Sequence, residues 1–126
     1  NEIKMENLTD KKEEVSKLQQ ELNNDNWVAR LQEECNKQGF SNQKVDNCPG
    51  PNTLAGCPTL RKGTKGNITK LLQEKLISLG YDLGKYGADG VFGMATYNAV
   101  VKFQKDKVLI RDGIVGQNTW EKLLNL

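Results

Sequence analysis

Five carboxylates are the candidates for paired acid–base chemistry: Glu33, Glu34, Asp46, Asp89 and Asp112. Two carboxyl groups held across a cleft can hydrolyse a glycosidic bond without help from imidazole. Glu33 and Glu34 are adjacent, so on a helix they diverge by roughly 100°, and each aspartate opens a segment that explains it as a turn residue. The chain has no histidine. That removes zinc sites that need imidazole ligands, His-based triads and Cys–His nucleophile pairs. The cysteines, Cys35, Cys48 and Cys57, are odd in number and lack CxxC spacing, which argues against a zinc or thioredoxin-like motif. Cys35 follows Leu31 by four residues on an apolar helical face, and its plain reading is a small buried hydrophobe. If the module is extracellular and a disulfide forms, Cys35 with Cys57 is the expected pair. The expectation is a chain without catalytic residues, metal ligands or cofactor.

The aspartates belong to a recurring segment. DNCPGPNTL (46–54), DGVFGMATY (89–97) and DGIVGQNTW (112–120) each run Asp, then Gly or Asn, two variable residues, Gly, two variable residues, Thr. The turn residues are Asp46, Gly50 and Thr53 in the first, Asp89, Gly90, Gly93 and Thr96 in the second, and Asp112, Gly113, Gly116 and Thr119 in the third. Asp-Gly starts a tight turn because glycine reaches positive φ freely, and Asn47 is the next most tolerant choice. The pairs Val91-Phe92 and Ile114-Val115 are apolar, so these loops are expected to tuck into a core. Asp and Thr are expected to satisfy helix-start amides or each other.

The elements that position these turns read as helices. LQEECNKQGF (31–40) aligns over LQEKLISLGY (72–81) with Leu, Gln and Glu at the start and Gly plus an aromatic at the end. Ile68, Leu71, Leu72, Leu76 and Leu79 keep helical spacing and Gly80 supplies the stop. Ala95, Ala99, Val100 and Phe103 form the next apolar face, and Trp120, Leu123 and Leu124 a short last one. Residues 61–126 therefore hold a complete three-helix unit, while 26–60 hold only its first half. CPTLRKGTKG between them reads as a connector. The predicted fold class is mainly α.

Residues 1–25 carry 4 basic and 7 acidic groups against 14 and 9 in the remainder, which marks Asp25 as a boundary. A helix is expected from Thr9 to about Asn23, with Asp10 and Glu13 at capping-box spacing. Leu8, Val15, Leu18 and Leu22 make a narrow stripe on it. It reads as a linker helix, with a self-associating coil as the alternative. A net charge of +2 offers no pull toward nucleic acid or anionic lipid. No stretch approaches the roughly 18 apolar residues of a membrane span, and no secretory signal opens the chain. Beginning at Asn1, it reads as a fragment of a longer protein.

The repeat resembles the type-1 peptidoglycan-binding domain family, three-helix modules attached to amidases, muramidases and other wall hydrolases. The residues that carry the resemblance are Leu72, Gln73, Leu79, Gly80, Tyr81, Asp89, Gly90, Gly93, Thr96, Ala99, Val100, Phe103, Gln104, Asp112, Gly113, Gly116, Thr119, Trp120 and Leu123. Residues 26–60 look like a truncated copy, a combination similar to the C-terminal regions of clostridial and phage lysins. Met94 stands where the family often has proline, and Val108 where glycine is common. The resemblance implies a non-catalytic module in the cell wall or outside the cell. Its partners would be peptidoglycan and a covalently attached amidase, zinc peptidase or muramidase. A wall polymer needs a shallow polar face with an aromatic platform. Tyr97, Asn98, Lys102, Gln104 and Asn118 are the candidate ligand-binding residues. The competing reading is a protein-interaction or dimerisation module that uses the helix at 9–23.

Overall fold

The computed structural model describes residues 26–126. The expected helix at 9–23, and the dimerisation surface it would carry, lie outside the described residues. The elements are α1 (26–37), α2 (Pro51–Ala55), α3 (Asn67–Ser78), α4 (Met94–Asp106) and α5 (Gln117–Leu123). The described residues form helices and turns, with isolated β-bridges at Leu60–Val115 and Lys65–Val91.

Four of the helices stop by one device. A residue in the left-handed region follows the last turn, and the next amide reaches back to a carbonyl five residues earlier. Gly39, Gly80, Val108 and Asn125 take that conformation with φ of 86°, 97°, 58° and 60°. The reaching bonds are Phe40 N–H to Cys35 O, Tyr81 to Leu76, Leu109 to Gln104 and Leu126 to Glu121, at 2.8–3.0 Å. Glycine enters this region without strain, whereas a β-branched valine does so at a cost.

One core holds both copies. Trp27, Leu31 and Cys35 of α1 join Leu71, Leu72 and Leu76 of α3, Val100 and Phe103 of α4, and Trp120 and Leu123 of α5 in a single buried cluster. Two indoles tie the copies together as hydrogen-bond donors: Trp27 Nε1 to Leu71 O and Trp120 Nε1 to Pro58 O, both at 2.7 Å. Burying a large ring while satisfying its single N–H is the favourable way to place tryptophan in a core. Arg30 and Glu74 close the outer edge of the α1–α3 contact through two bonds of 2.7 and 2.9 Å.

The segment read as a connector is fastened at both ends. Leu60 exchanges backbone bonds with Val115 at 3.1 and 2.8 Å, while Gly63 and Thr64 bond the backbone of Phe92 at 2.9 Å each. The loops tuck into the core as expected, and this extended pairing decides which residue of each apolar pair does so. Side chains alternate along an extended strand, so Phe92 and Val115 are buried whereas Val91 is exposed and Ile114 only half-buried.

Candidate functional site

Each Asp-to-Thr segment is closed around a buried glutamine. Gln32 Nε2 donates to Asp46 Oδ1, Cys48 O and Thr53 Oγ1, each at 3.1 Å. Gln73 makes the same set to Asp89, Val91 O and Thr96 at 3.3, 2.9 and 2.9 Å, and Gln104 to Asp112, Ile114 O and Thr119 at 3.0, 3.0 and 3.1 Å. An amide nitrogen has two hydrogens, so three acceptors must share them. The Oε1 atoms accept from the amides of Asn47, Gly90 and Gly113 at 3.0, 2.7 and 3.0 Å. Each of these glutamines is 1% exposed, so all of this bonding is internal.

The aspartate completes the turn by accepting from the amide two residues on: Cys48, Val91 and Ile114, each at 3.0 Å. Backbone donation from Cys48, helped by the Gln32 amide, holds the Asp46 carboxyl below the usual carboxylate range. The Val91 amide, helped by Gln73, does the same for Asp89. Hydrogen bonds to the charged form favour it. Asp and Thr were expected to satisfy helix-start amides or each other. Helices α2, α4 and α5 instead begin at Gly50, Gly93 and Gly116 with no side-chain cap, and the glutamine engages both the Asp and the Thr of each turn.

Gln104 was expected as a surface contact and is instead 1% exposed. Its polar atoms are engaged by Asp112, Gly113, Ile114 and Thr119, so it lines the groove at the third turn only from within the turn. Tyr97 is half-buried. Its ring covers the third turn so closely that a Cβ on Gly113 would fall 2.2 Å from Tyr97 Cε1, and Lys62 Nζ lies 5.5 Å from the ring centre. Asn98, Lys102 and Asn118 are exposed. Asn98 and Lys102 follow Met94 at four-residue steps, so the three share one face of α4.

Open grooves lie against the second and third turns. One of about 240 Å³ is lined by Leu83, Tyr86, Asp89, Val91, Met94 and Ala95. The other, about 180 Å³, is lined by Leu109, Ile110, Asp112, Ile114, Gln117 and Asn118. They are counterparts in the repeat: Asp89 matches Asp112, Val91 matches Ile114, Met94 matches Gln117 and Ala95 matches Asn118. Of the residues chosen from sequence, the structure sets the exposed Asn118 and the buried Gln104 in the lining of one groove and lays Asn98 and Lys102 along the helix that leaves the other. Tyr97 stands apart beside Lys62.

Tyr86, 72% exposed, and Met94, 58% exposed, rim the groove at the second turn, yet neither was among the residues chosen from sequence. Met94 read only as a departure from the family's proline, and Tyr86 lies outside the repeated segments, so periodicity gave no signal for it. Sequence reasoning also passed over Gln32 and Gln73 as turn organisers. Their signal was an apolar residue followed by glutamine ahead of each turn: Leu31-Gln32, Leu72-Gln73 and Phe103-Gln104.

Comparison with known proteins places this geometry in a family. Residues 65–123 match the domain family described as "Putative peptidoglycan binding domain". The chain is 47% identical over 66 residues to a "Probable N-acetylmuramoyl-L-alanine amidase" of Bacillus licheniformis, covering 52% of this chain and 18% of that protein. It is 46% identical over 70 residues to the type VI secretion system spike protein VgrG3 of Vibrio cholerae, covering 47% of this chain and 7% of that one. A solved structure, the SleB N-terminal domain, is 35% identical with a TM-score of 0.51, covering 54% of this chain and 90% of that one. The chain thus spans less than a fifth of the length of those two full-length relatives.

Proposed function

Because the chain belongs, through residues 65–123, to the peptidoglycan-binding domain family, we propose that it is a wall-binding module that holds an attached hydrolase against its substrate. The observation that carries this reading is the pair of equivalent open grooves at the second and third turns. A polymer of repeating units can engage two matched shallow sites at once, and tethering multiplies weak contacts without new chemistry. The second groove offers an aromatic and apolar rim in Tyr86, Val91 and Met94, continued by the polar stripe of Asn98 and Lys102. The third offers Asn118 and Gln117 beside Ile110. Sugar rings and stem peptides both present an apolar face edged by hydroxyls and amides, which suits such a rim.

The chemistry belongs to the covalently attached domain, an N-acetylmuramoyl-L-alanine amidase, zinc peptidase or muramidase. The module acts in the cell wall or outside the cell. Its contribution is local concentration, so removing it lowers turnover on intact wall while leaving turnover on small soluble substrates unchanged.

Co-sedimentation of residues 1–126 with insoluble peptidoglycan, before and after the secondary wall polymers are stripped, tests the proposal. Retention is expected with both preparations. Tyr86→Ala combined with Met94→Ala should lower retention several-fold, Asn118→Ala less, with unchanged circular dichroism. Failure of the native chain to pellet with either preparation rejects wall binding. Full retention by the groove variants rejects these grooves.

A further inference from the structure

Cys35 and Cys57 hold corresponding places in a repeat frame that elsewhere supplies core residues. Counting three residues on from the turn glutamine gives Cys35 in the first copy and Leu76 in the second. Counting four on from the turn threonine gives Cys57, Val100 and Leu123. Leu76, Val100 and Leu123 are all 0–1% exposed in the one core. The first copy thus puts sulfur at two positions that the second copy buries in that core. Cys35 is fully buried and Cys57 packs half-buried against the same cluster, which leaves the two thiols close enough to perturb each other's titration. Cys57 Sγ also donates to the Thr53 carbonyl at 3.2 Å, within its own turn. Cys48 sits exposed on the first turn.

We propose that Cys35 and Cys57 are a cross-linking pair, oxidised outside the cell to an intramolecular disulfide that fastens the end of α2 to α1, with Cys48 left as a thiol. The first copy has a physical need for it. Helix α2 is only five residues long, too short to hold its own hydrogen bonds in water, and no third helix closes this half-unit. A bridge across residues 36–56 lowers the entropy of the unfolded chain, the usual way such a link stabilises.

The oxidant is an external disulfide such as oxidised glutathione. The half-exposed Cys57 loses its proton and attacks one glutathione sulfur, forming a mixed disulfide and expelling one glutathione thiolate. Cys35 then loses its proton and attacks the Cys57 sulfur, expelling the second. Two protein thiols are oxidised, one small disulfide is reduced, and the two protons end on the expelled thiolates. Exchange proceeds through a thiolate, so it quickens as pH rises.

The test uses the native 126-residue chain, incubated with oxidised glutathione, freed of it, unfolded in guanidinium and assayed for thiols. The free-thiol count should fall from three to one, and peptide mapping should find Cys35 joined to Cys57. Cys48→Ser should still lose two thiols. The oxidised chain should melt several degrees above the reduced one, and the difference should vanish in Cys57→Ser. Three thiols remaining after oxidation, a link through Cys48, or identical melting of the two forms would each overturn the proposal.

Discussion

At the first turn Gln32 holds Asp46, Thr53 and the backbone of Asn47, and at the second Gln73 holds Asp89, Thr96 and Gly90 in the same geometry. Around these matching centres the two copies part. The first turn takes Asn47 at φ 61° and stiffens the following bend with Pro49 and Pro51, and its second helix ends after five residues. The second turn takes Gly90 at φ 81° and leads into a helix of 13 residues beside a groove with an exposed aromatic rim. The polar centre, common to both, is what a helix–turn–helix needs in order to close. The apolar rim belongs to the later turns, and that division separates the residues that make the fold from those available to a ligand.

Replacing the centre should have the largest effect. Gln73→Leu leaves the buried Gly90 amide and Thr96 hydroxyl without their partner, and each buried orphan costs about 1–3 kcal/mol. A loss of about 3–5 kcal/mol in guanidinium unfolding is expected. Gln32→Leu should lose a similar amount in a single transition, because one core spans both copies. A loss below about 1 kcal/mol at either site would show that the glutamine is not what holds the turn. Next comes Gly113→Ala. Glycine has φ 70° there, and the added carbon would strike the Tyr97 ring, so a loss of about 2–4 kcal/mol is expected. Gly116→Ala, with open space and φ −98°, should stay within about 1 kcal/mol of the parent.

These expectations mark where the sequence could be read and where it could not. The helices after each glycine turn were legible because Leu71, Leu72 and Leu76, then Ala99, Val100 and Phe103, keep a 3.6-residue period that only a buried helix face imposes. The aspartates were legible as turn residues because Asp-Gly has a local conformational cause. The glutamine was not, since its role depends on contacts 8 to 16 residues away. That separation differs at each turn, so no fixed spacing announces it. A polar side chain on a helix reads by default as surface, which is why Gln104 was expected there. The groove rims escaped for another reason: Tyr86 lies outside the repeated segments, Met94 read only as a departure from the family pattern, and only the folded chain sets them together beside Val91.

The helix ends sharpen the comparison with a stabilising change. Where Gly39 and Gly80 stop α1 and α3, Val108 stops α4 at φ 58° and is 90% exposed. Val108→Gly should relieve strain and lose no packing. Against the greater freedom it gives the unfolded chain, a net gain of about 0.5–1 kcal/mol is expected, read as a raised melting temperature. The two aspartates add an acid dependence. Asp46 and Asp89 are held below the usual carboxylate range in the folded chain, so their contribution is present above the unfolded value near pH 4 and is lost as pH falls through the folded one. The urea midpoint should be level from pH 7 to 5 and decline below about pH 4. Asp46→Asn with Asp89→Asn, which keeps the accepting oxygen, should flatten that decline.

The smallest effect belongs to the most conspicuous charge pair. Arg30 and Glu74 make a two-bond contact between α1 and α3, but their side chains are 46% and 29% exposed, and water and salt screen a pair so placed. Beside it, Trp27 is 3% exposed and donates to Leu71 O from within the core. If burial fastens the first copy to the second, Arg30→Gln should cost about 0.5 kcal/mol or less, and the difference should disappear in 1 M salt because the Debye length there is about 3 Å. Trp27→Phe, which keeps an aromatic ring but loses part of the buried bulk and one buried hydrogen bond, should cost about 1–3 kcal/mol with little dependence on salt. The reverse ranking, with Arg30→Gln costing more than Trp27→Phe even at high salt, would mean that the copies are held together electrostatically and that the shared core is secondary.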